Sequence, residues 1–387
     1  MVNRLSLAPC PVTDWSDERR RARLRTTRWG HHWGRFGRLR RALVSLVLAL
    51  AAISALYGQY WLHDVAPERA RLAHTRPYLH SIFDAADPAD HATAVVDLVG
   101  LGNLDATDTA RALPALAELG QVWAVQYDNA GIDTAVISRM IIDHAEQAGV
   151  ERIVLAGHSM GGILALEVAE HVVTDSDLNL LAVFLDCTPI DLHAVRADER
   201  DTGEDLLRWM GWVPGARESR TLRLVVETAA RNDRYLVAHR NGLSTVDPGA
   251  LAEAVTEVLR DKIFSTDAAS NGLIEAQFQA IVASGALDDL RALAVRRGAR
   301  PRPAVVFLRP RYGTDDEVVD VDYTQKVLFD RVGGPQGSLR VVRLDGTGHA
   351  NPIQQPQAYN AAVQAKVVPF VDRLTAQDLR PVSAGGR

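Results

Sequence analysis

Cysteine is nearly missing from this chain of 387 residues, which has only Cys10 and Cys187. Two such thiols build no disulfide framework and are too few to carry a metal cluster on thiolates. They also leave the redox compartment unread. Lysine is scarce too: of 43 basic residues only Lys262, Lys326 and Lys366 are lysine, a bias we attribute to coding rather than chemistry. No H-E-x-x-H is present, so a zinc-hydrolase reading lacks its ligands. Internal repeats are absent, which sets solenoids and propellers aside.

What is there suffices for a large core. Apolar residues make up 47% and charged ones 24%, a globular composition sized for one large domain with an insertion or two ordinary ones. The net charge of −5 conceals a split, because residues 1–41 hold eleven arginines against Asp14, Asp17 and Glu18. The body is therefore strongly acidic, and nucleic acid is excluded as its partner.

The basic arm 1–41 runs into ALVSLVLALAAISALYGQYWL, residues 42–62, which carry no charge. As a helix this stretch measures roughly 31 Å, about the hydrocarbon thickness of a bilayer. Tyr57, Tyr60 and Trp61 gather at its far end, where amphipathic rings favour the interface. The expectation is a transmembrane signal anchor, arm in the cytoplasm and body outside by the positive-inside rule. The alternative is a cleaved signal peptide and a secreted body; no convincing A-x-A site precedes Gly58. The arm, with tryptophans among its arginines, is either a topogenic tail or a segment lying on anionic lipid.

Residues 63–91 read as a linker with one short element. Apolar strand-type runs then alternate with helical spacing: strands at 92–100, 122–128, 152–157 and 180–186, helices at 110–119, 134–149 and from Met160 to about Val173. Strands buried on both faces and separated by helices mark a mostly parallel α/β sheet with helices on both faces. The pattern lapses over 188–300, read as a helical cap inserted after the sixth core strand. Within it, Asp247-Pro248 opens a helix over 247–263. Sheet pattern returns at 304–310 and 338–346, with helices at 321–332 and 356–373. The core is thus 92–187 plus 301–375, and 376–387 is a flexible tail.

VLAGHSMGGILAL (154–166) is where chemistry is expected. A serine hydroxyl needs a sharp turn, a base and oxyanion donors before it attacks anything. Gly157 and Gly161 flank Ser159 at two residues either side, so a strand can turn sharply into a helix there. Met160 would present its backbone N–H at that helix's start. His349, in the loop LDGTGHANP beyond the last strand, is the expected base; the side chain of His158 should point away from the hydroxyl. The acid that orients the base comes from RYGTDDEVVD after strand 304–310. Asp316 is preferred, with Asp315 and Asp186 as alternatives. The order Ser, Asp, His suits a nucleophile elbow.

On Gly157-His158-Ser159-Met160-Gly161-Gly162, Gly313-Thr314-Asp315-Asp316 and Gly348-His349 with Pro352 and Pro356, residues 92–373 resemble the α/β-hydrolase superfamily. The resemblance implies an oxyanion hole combining the Met160 N–H with that of Leu101 or Gly102. It departs from many members after the first strand, reading Val99-Gly100-Leu101-Gly102-Asn103 instead of His-Gly, and at 128–133, where a G-x-G-x-S loop is common. The implied activity is a serine hydrolase of esterase or lipase type, without cofactor or metal, acting on a small-molecule or lipid acyl substrate. Trp209, Met210 and Trp212 are candidates for a lid or pocket wall. Acyl transfer by the same residues, or a silent membrane-tethered binding protein, are the alternatives.

Overall fold

The computed structural model describes residues 17–27, 37–238, 244–265, 267–294, 302–333 and 337–378. It divides into two units, residues 1–63 and 64–387. The first contains helix Asp17–Thr26 and helix Arg38–Tyr60. The stretch 40–72 is long and apolar enough to cross a membrane. Tyr57 sits 6.1 Å from both Tyr60 and Trp61, ring centre to ring centre. Residues 1–16 and 28–36 of the basic arm, and 379–387 of the tail, lie outside the described residues.

The second unit is built on a sheet of seven strands: β1 (Tyr78–Phe83), β2 (Thr93–Leu98), β3 (Gln121–Gln126), β4 (Arg152–His158), β5 (Asn179–Asp186), β8 (Ala304–Pro310) and β9 (Leu339–Leu344). Their spatial order is β1-β3-β2-β4-β5-β8-β9. All neighbours are parallel except β1, which pairs antiparallel with β3. Every residue of β2, β4 and β8 is buried, the reason these strands read as unbroken apolar runs. Helices cover the sheet, and helix Met160–Asp175 packs on β4 and β5 with ten of its residues buried.

Three expectations change. The stretch 63–91 is more than a linker, since it contributes helix Ala66–Leu72 and edge strand β1. That strand has mixed burial, so its sequence is not a wholly apolar run. The insertion follows the fifth strand in chain order. The boundary at 300 also falls too late, because helices Asn271–Val282 and Ala286–Ala294 pack on Met160–Asp175 and give Leu273, Phe278, Leu290 and Leu293 to the main core. Beyond the sheet proper lie helices Ala197–Trp212, Arg220–Ala230 and Pro248–Val258, with the hairpin of β6 (Leu236–Ala238) and β7 (Ser244–Val246). Asp247 caps Pro248–Val258 by accepting from the N–H groups of Gly249 and Ala250.

Candidate active site

Ser159 stands between the end of β4 and the start of helix Met160–Asp175, with φ 53° and ψ −124°. A left-handed φ at a non-glycine residue is strained and persists only where its surroundings force it. They do so here through contact. A Cβ on Gly157 would come within 2.4 Å of Gly161 O and Gly162 Cα, and one on Gly161 within 2.3 Å of Leu98 O. A Cβ on Gly162 would overlap Thr188. The glycines of G-x-S-x-G-G thus let helix, β2 and the chain after β5 close around the serine. The Ser159 N–H is tied to Asp186 O at 2.8 Å.

His349 arrives from the loop after β9. Its Nε2 is 2.8 Å from Ser159 Oγ, and its Nδ1 is 3.0 Å from Asp316 Oδ2. If Nδ1 carries the proton, it donates to Asp316 and leaves Nε2 to accept from the serine hydroxyl. Asp316 is fully buried, and its other oxygen accepts from the N–H groups of Val318 (3.0 Å) and Val319 (2.7 Å). Burial would raise its pKa, but the His349 hydrogen bond and charge, with those amides, outweigh it and hold the carboxyl below its ordinary value. Arg196 clamps the same loop by donating to Asp316 O and Gly313 O, each at 2.7 Å.

The other candidate acids are elsewhere. Asp315 is exposed one residue away. Asp186 is buried but engaged with His158, Nδ1 to Oδ2 at 2.8 Å. On the opposite side of that ring, Nε2 faces buried Asp97 at 2.9 Å, an ion pair outside hydrogen-bond alignment. Burial works against a charge on His158, yet Asp97 and then Asp186 prevail and push its pKa up to about 10. Tyr359 extends the group, donating to Asp186 Oδ1 at 3.1 Å and accepting from the Asn351 N–H at 3.2 Å. The loop bearing His349 is therefore fastened to the buried ion pair behind Ser159.

Sequence reasoning missed Asp97, Tyr359 and Gln277. An aspartate within the apolar run AVVDLVG was the available signal, since a carboxylate there demands a partner. Gln277 is fully buried on helix Asn271–Val282; its Oε1 accepts from the Gly102 N–H and its Nε2 donates to Asn103 O, both at 2.8 Å. That contact corrects the expectation for Gly102, whose N–H is spent on Gln277. Gly100 passes directly beside Ser159, where a Cβ would sit 3.1 Å from Ser159 Cβ, and Leu101 follows on the cavity wall. Met160 begins its helix, where first-turn N–H groups lack intrahelical acceptors.

The cavity over Ser159 and His349 measures about 370 Å³. Val195, Phe278, Ile281, Val318, Val319 and Ile353 make it largely apolar. Of the expected lid residues, Met210 and Trp212 are not among its walls. Met210 is buried away from it, Trp212 is 79% exposed, and the side chain of Trp209 lies outside the described residues. Cys187, Asp316 and His349 bring potential ligand atoms within 4.8 Å of one another. The donor set suits a metal poorly. Burial, then Asp186 and Asp316, push the Cys187 thiol well above its ordinary pKa, and both His349 nitrogens are already engaged.

A family model described as the alpha/beta hydrolase family matches residues 72–362. The chain belongs to the alpha/beta hydrolase family. This alpha/beta hydrolase is similar to several solved structures. One is an esterase from Exiguobacterium antarcticum, 16% identical over 77% of this chain and 96% of that one, TM-score 0.46. Another is the Paleococcus ferrophilus monoacylglycerol lipase, 15% identical over 77% and 99%, TM-score 0.43. A third is a membrane phospholipase A described as a bacterial virulence factor, 19% identical over 85% and 99%, TM-score 0.44. No curated protein matches the sequence. By family this alpha/beta hydrolase is an enzyme of the hydrolase class.

Proposed function

We propose that the protein is a membrane-anchored serine hydrolase that cleaves an ester, thioester or amide with an apolar acyl group. The observation carrying the reading is the unbroken chain from Ser159 Oγ through His349 to Asp316, at 2.8 and 3.0 Å. Ser159 attacks the acyl carbonyl as its proton passes to His349 Nε2. The imidazolium formed is held by Asp316 through Nδ1 and then protonates the leaving group. The N–H groups of Met160 and Leu101 receive the oxyanion. Water, deprotonated by the same histidine, releases the acid from the acyl-enzyme.

The apolar lining around the serine favours an acyl chain, and a volume of about 370 Å³ lies within the size range of small-molecule sites. Residues 42–62 act as the anchor, with the basic arm in the cytoplasm and residues from 64 onward on the outer side. The same acyl-enzyme would serve acyl transfer if an alcohol or amine replaced water.

The deciding experiment treats the detergent-solubilised full-length protein with a fluorophosphonate probe beside Ser159→Ala and Asp316→Asn, and follows p-nitrophenyl esters of increasing chain length. Wild type should label and turn over, Ser159→Ala should do neither, and Asp316→Asn should lose about 10⁴-fold in kcat. A folded wild type that neither labels nor hydrolyses any ester would overturn the reading in favour of a silent binding protein.

A further inference from the structure

Helix Asn271–Val282 has the Ser159 cavity at one end, where Phe278 and Ile281 form part of the wall. A second cavity, of about 140 Å³, lies at its other end against Ser270 and Asn271. From Asn271 to Ile281 is roughly 15 Å along a helix, so the two are separate. Arg71, Arg217, Arg220, Arg223 and Lys262 line this second cavity, against the carboxylates of Glu68 and Glu218 alone.

The charges are incompletely balanced. Glu68 serves two guanidiniums, Arg71 at 2.6 Å and Arg220 at 2.7 Å, while Glu218 is held by Arg69 at 2.9 Å. Arg217 reaches out to Glu275 at 3.2 Å. Lys262 makes no ion pair within 4.0 Å among the described residues and acts on the neighbouring Asp261 only through space, while Asp261 pairs with Arg260. Arg223 is only 7% exposed, and its Nε faces Glu227 at 3.2 Å without hydrogen-bond alignment. Its Nη1 donates to Ala269 O at 2.8 Å, and burial pulls its pKa down against the opposing effect of Glu227.

Two helix starts add to the field. Ser219 caps Arg220–Ala230 and Ser270 caps Asn271–Val282, and both serines line the cavity. Asp64 already occupies the N–H groups of Arg220 and Thr221, so a ligand here would be held by side chains.

We propose that this cavity binds a phosphate group, carried by an anionic lipid headgroup or by a free phosphate. Guanidiniums offer paired N–H donors that match phosphate oxygens, and Lys262 adds a point charge. Two observations point to the lipid. Glu68 and Arg71 follow closely in sequence on the apolar stretch 42–62, and Phe264, on the cavity wall, is 71% exposed. The site is independent of the serine chemistry, and its failure would leave that reading standing.

The test is native mass spectrometry and calorimetry on the full-length protein in neutral detergent. The probes are inorganic phosphate, dihexanoyl phosphatidylglycerol and, as the zwitterionic control, dihexanoyl phosphatidylcholine. Wild type should bind the phosphatidylglycerol with at least tenfold preference over the choline lipid. Lys262→Glu, which breaks no ion pair seen among the described residues, should weaken that binding at least tenfold while melting temperature and ester turnover stay unchanged. Arg220→Gln should weaken it similarly. Binding of inorganic phosphate alone, lost in both variants, would identify the free ion as the source. Equal binding by the folded variants, or no preference for either anion, would overturn the proposal.

Discussion

Two histidines lie close to Ser159, and each is paired with aspartate, but their surroundings differ. His158 precedes the serine in the chain and is wedged between Asp97 and Asp186, with both ring nitrogens facing carboxylates. His349 lies 190 residues from the serine, meets only one aspartate, and keeps 20% of its side chain exposed at the cavity. A general base must exchange its proton with substrate, so it needs one nitrogen free and a route to it. His158 has neither, and its two aspartates push its pKa up to about 10 against the effect of burial. On the proposed mechanism, partners and access, more than sequence distance, separate the reacting imidazole from the structural one.

The largest break in that comparison comes from the exposed histidine. On the proposed mechanism, His349→Ala should lower kcat by about 10⁶-fold, read by ester hydrolysis, with little change in melting temperature. The buried side should respond in the other currency. Asp97→Ala leaves His158 half-compensated in the core and should cost about 3–5 kcal/mol of unfolding free energy in urea titrations. The fraction that remains folded should still take a fluorophosphonate on Ser159.

The smallest effect is in the pH dependence. The folded state holds the His158 proton more tightly than the unfolded chain does. Its stabilising contribution is therefore complete below about pH 6.5, the value for a free histidine, and is lost as pH rises through about 10. The Asp316 carboxyl is shifted down, so its contribution is present above about pH 4 and lost as pH falls below that. Urea midpoints of wild type and His158→Leu should draw together above pH 10 and separate near neutrality. A constant gap across that range would mean that the ring is neutral in the fold.

Much of the sheet was legible because its central strands are buried on both faces. The apolar run AVVFLRP and the helical period of 321–332 coincide with β8 and helix Val321–Val332. Edge strand β1 buries only Leu79 fully, and it was lost in a stretch read as a linker. Ser159 was legible because the glycines around it answer a purely local demand. His349 could be favoured by its place beyond the last strand, but Asp316 was one carboxylate among several on an acidic loop. The Val318 and Val319 amides and the Arg196 clamp single it out, and these are contacts between segments distant in sequence or a loop geometry that composition leaves open.

By itself the sequence determined the family, the apolar length of 42–62 and the glycine turn at Ser159, because each follows from residue type at short range. Only the tertiary structure decided which aspartate faces which histidine, that Gln277 takes the Gly102 N–H, and that five cations meet around one cavity. Those depend on distances between residues far apart in the chain, and folding sets such distances by closing long loops around one core.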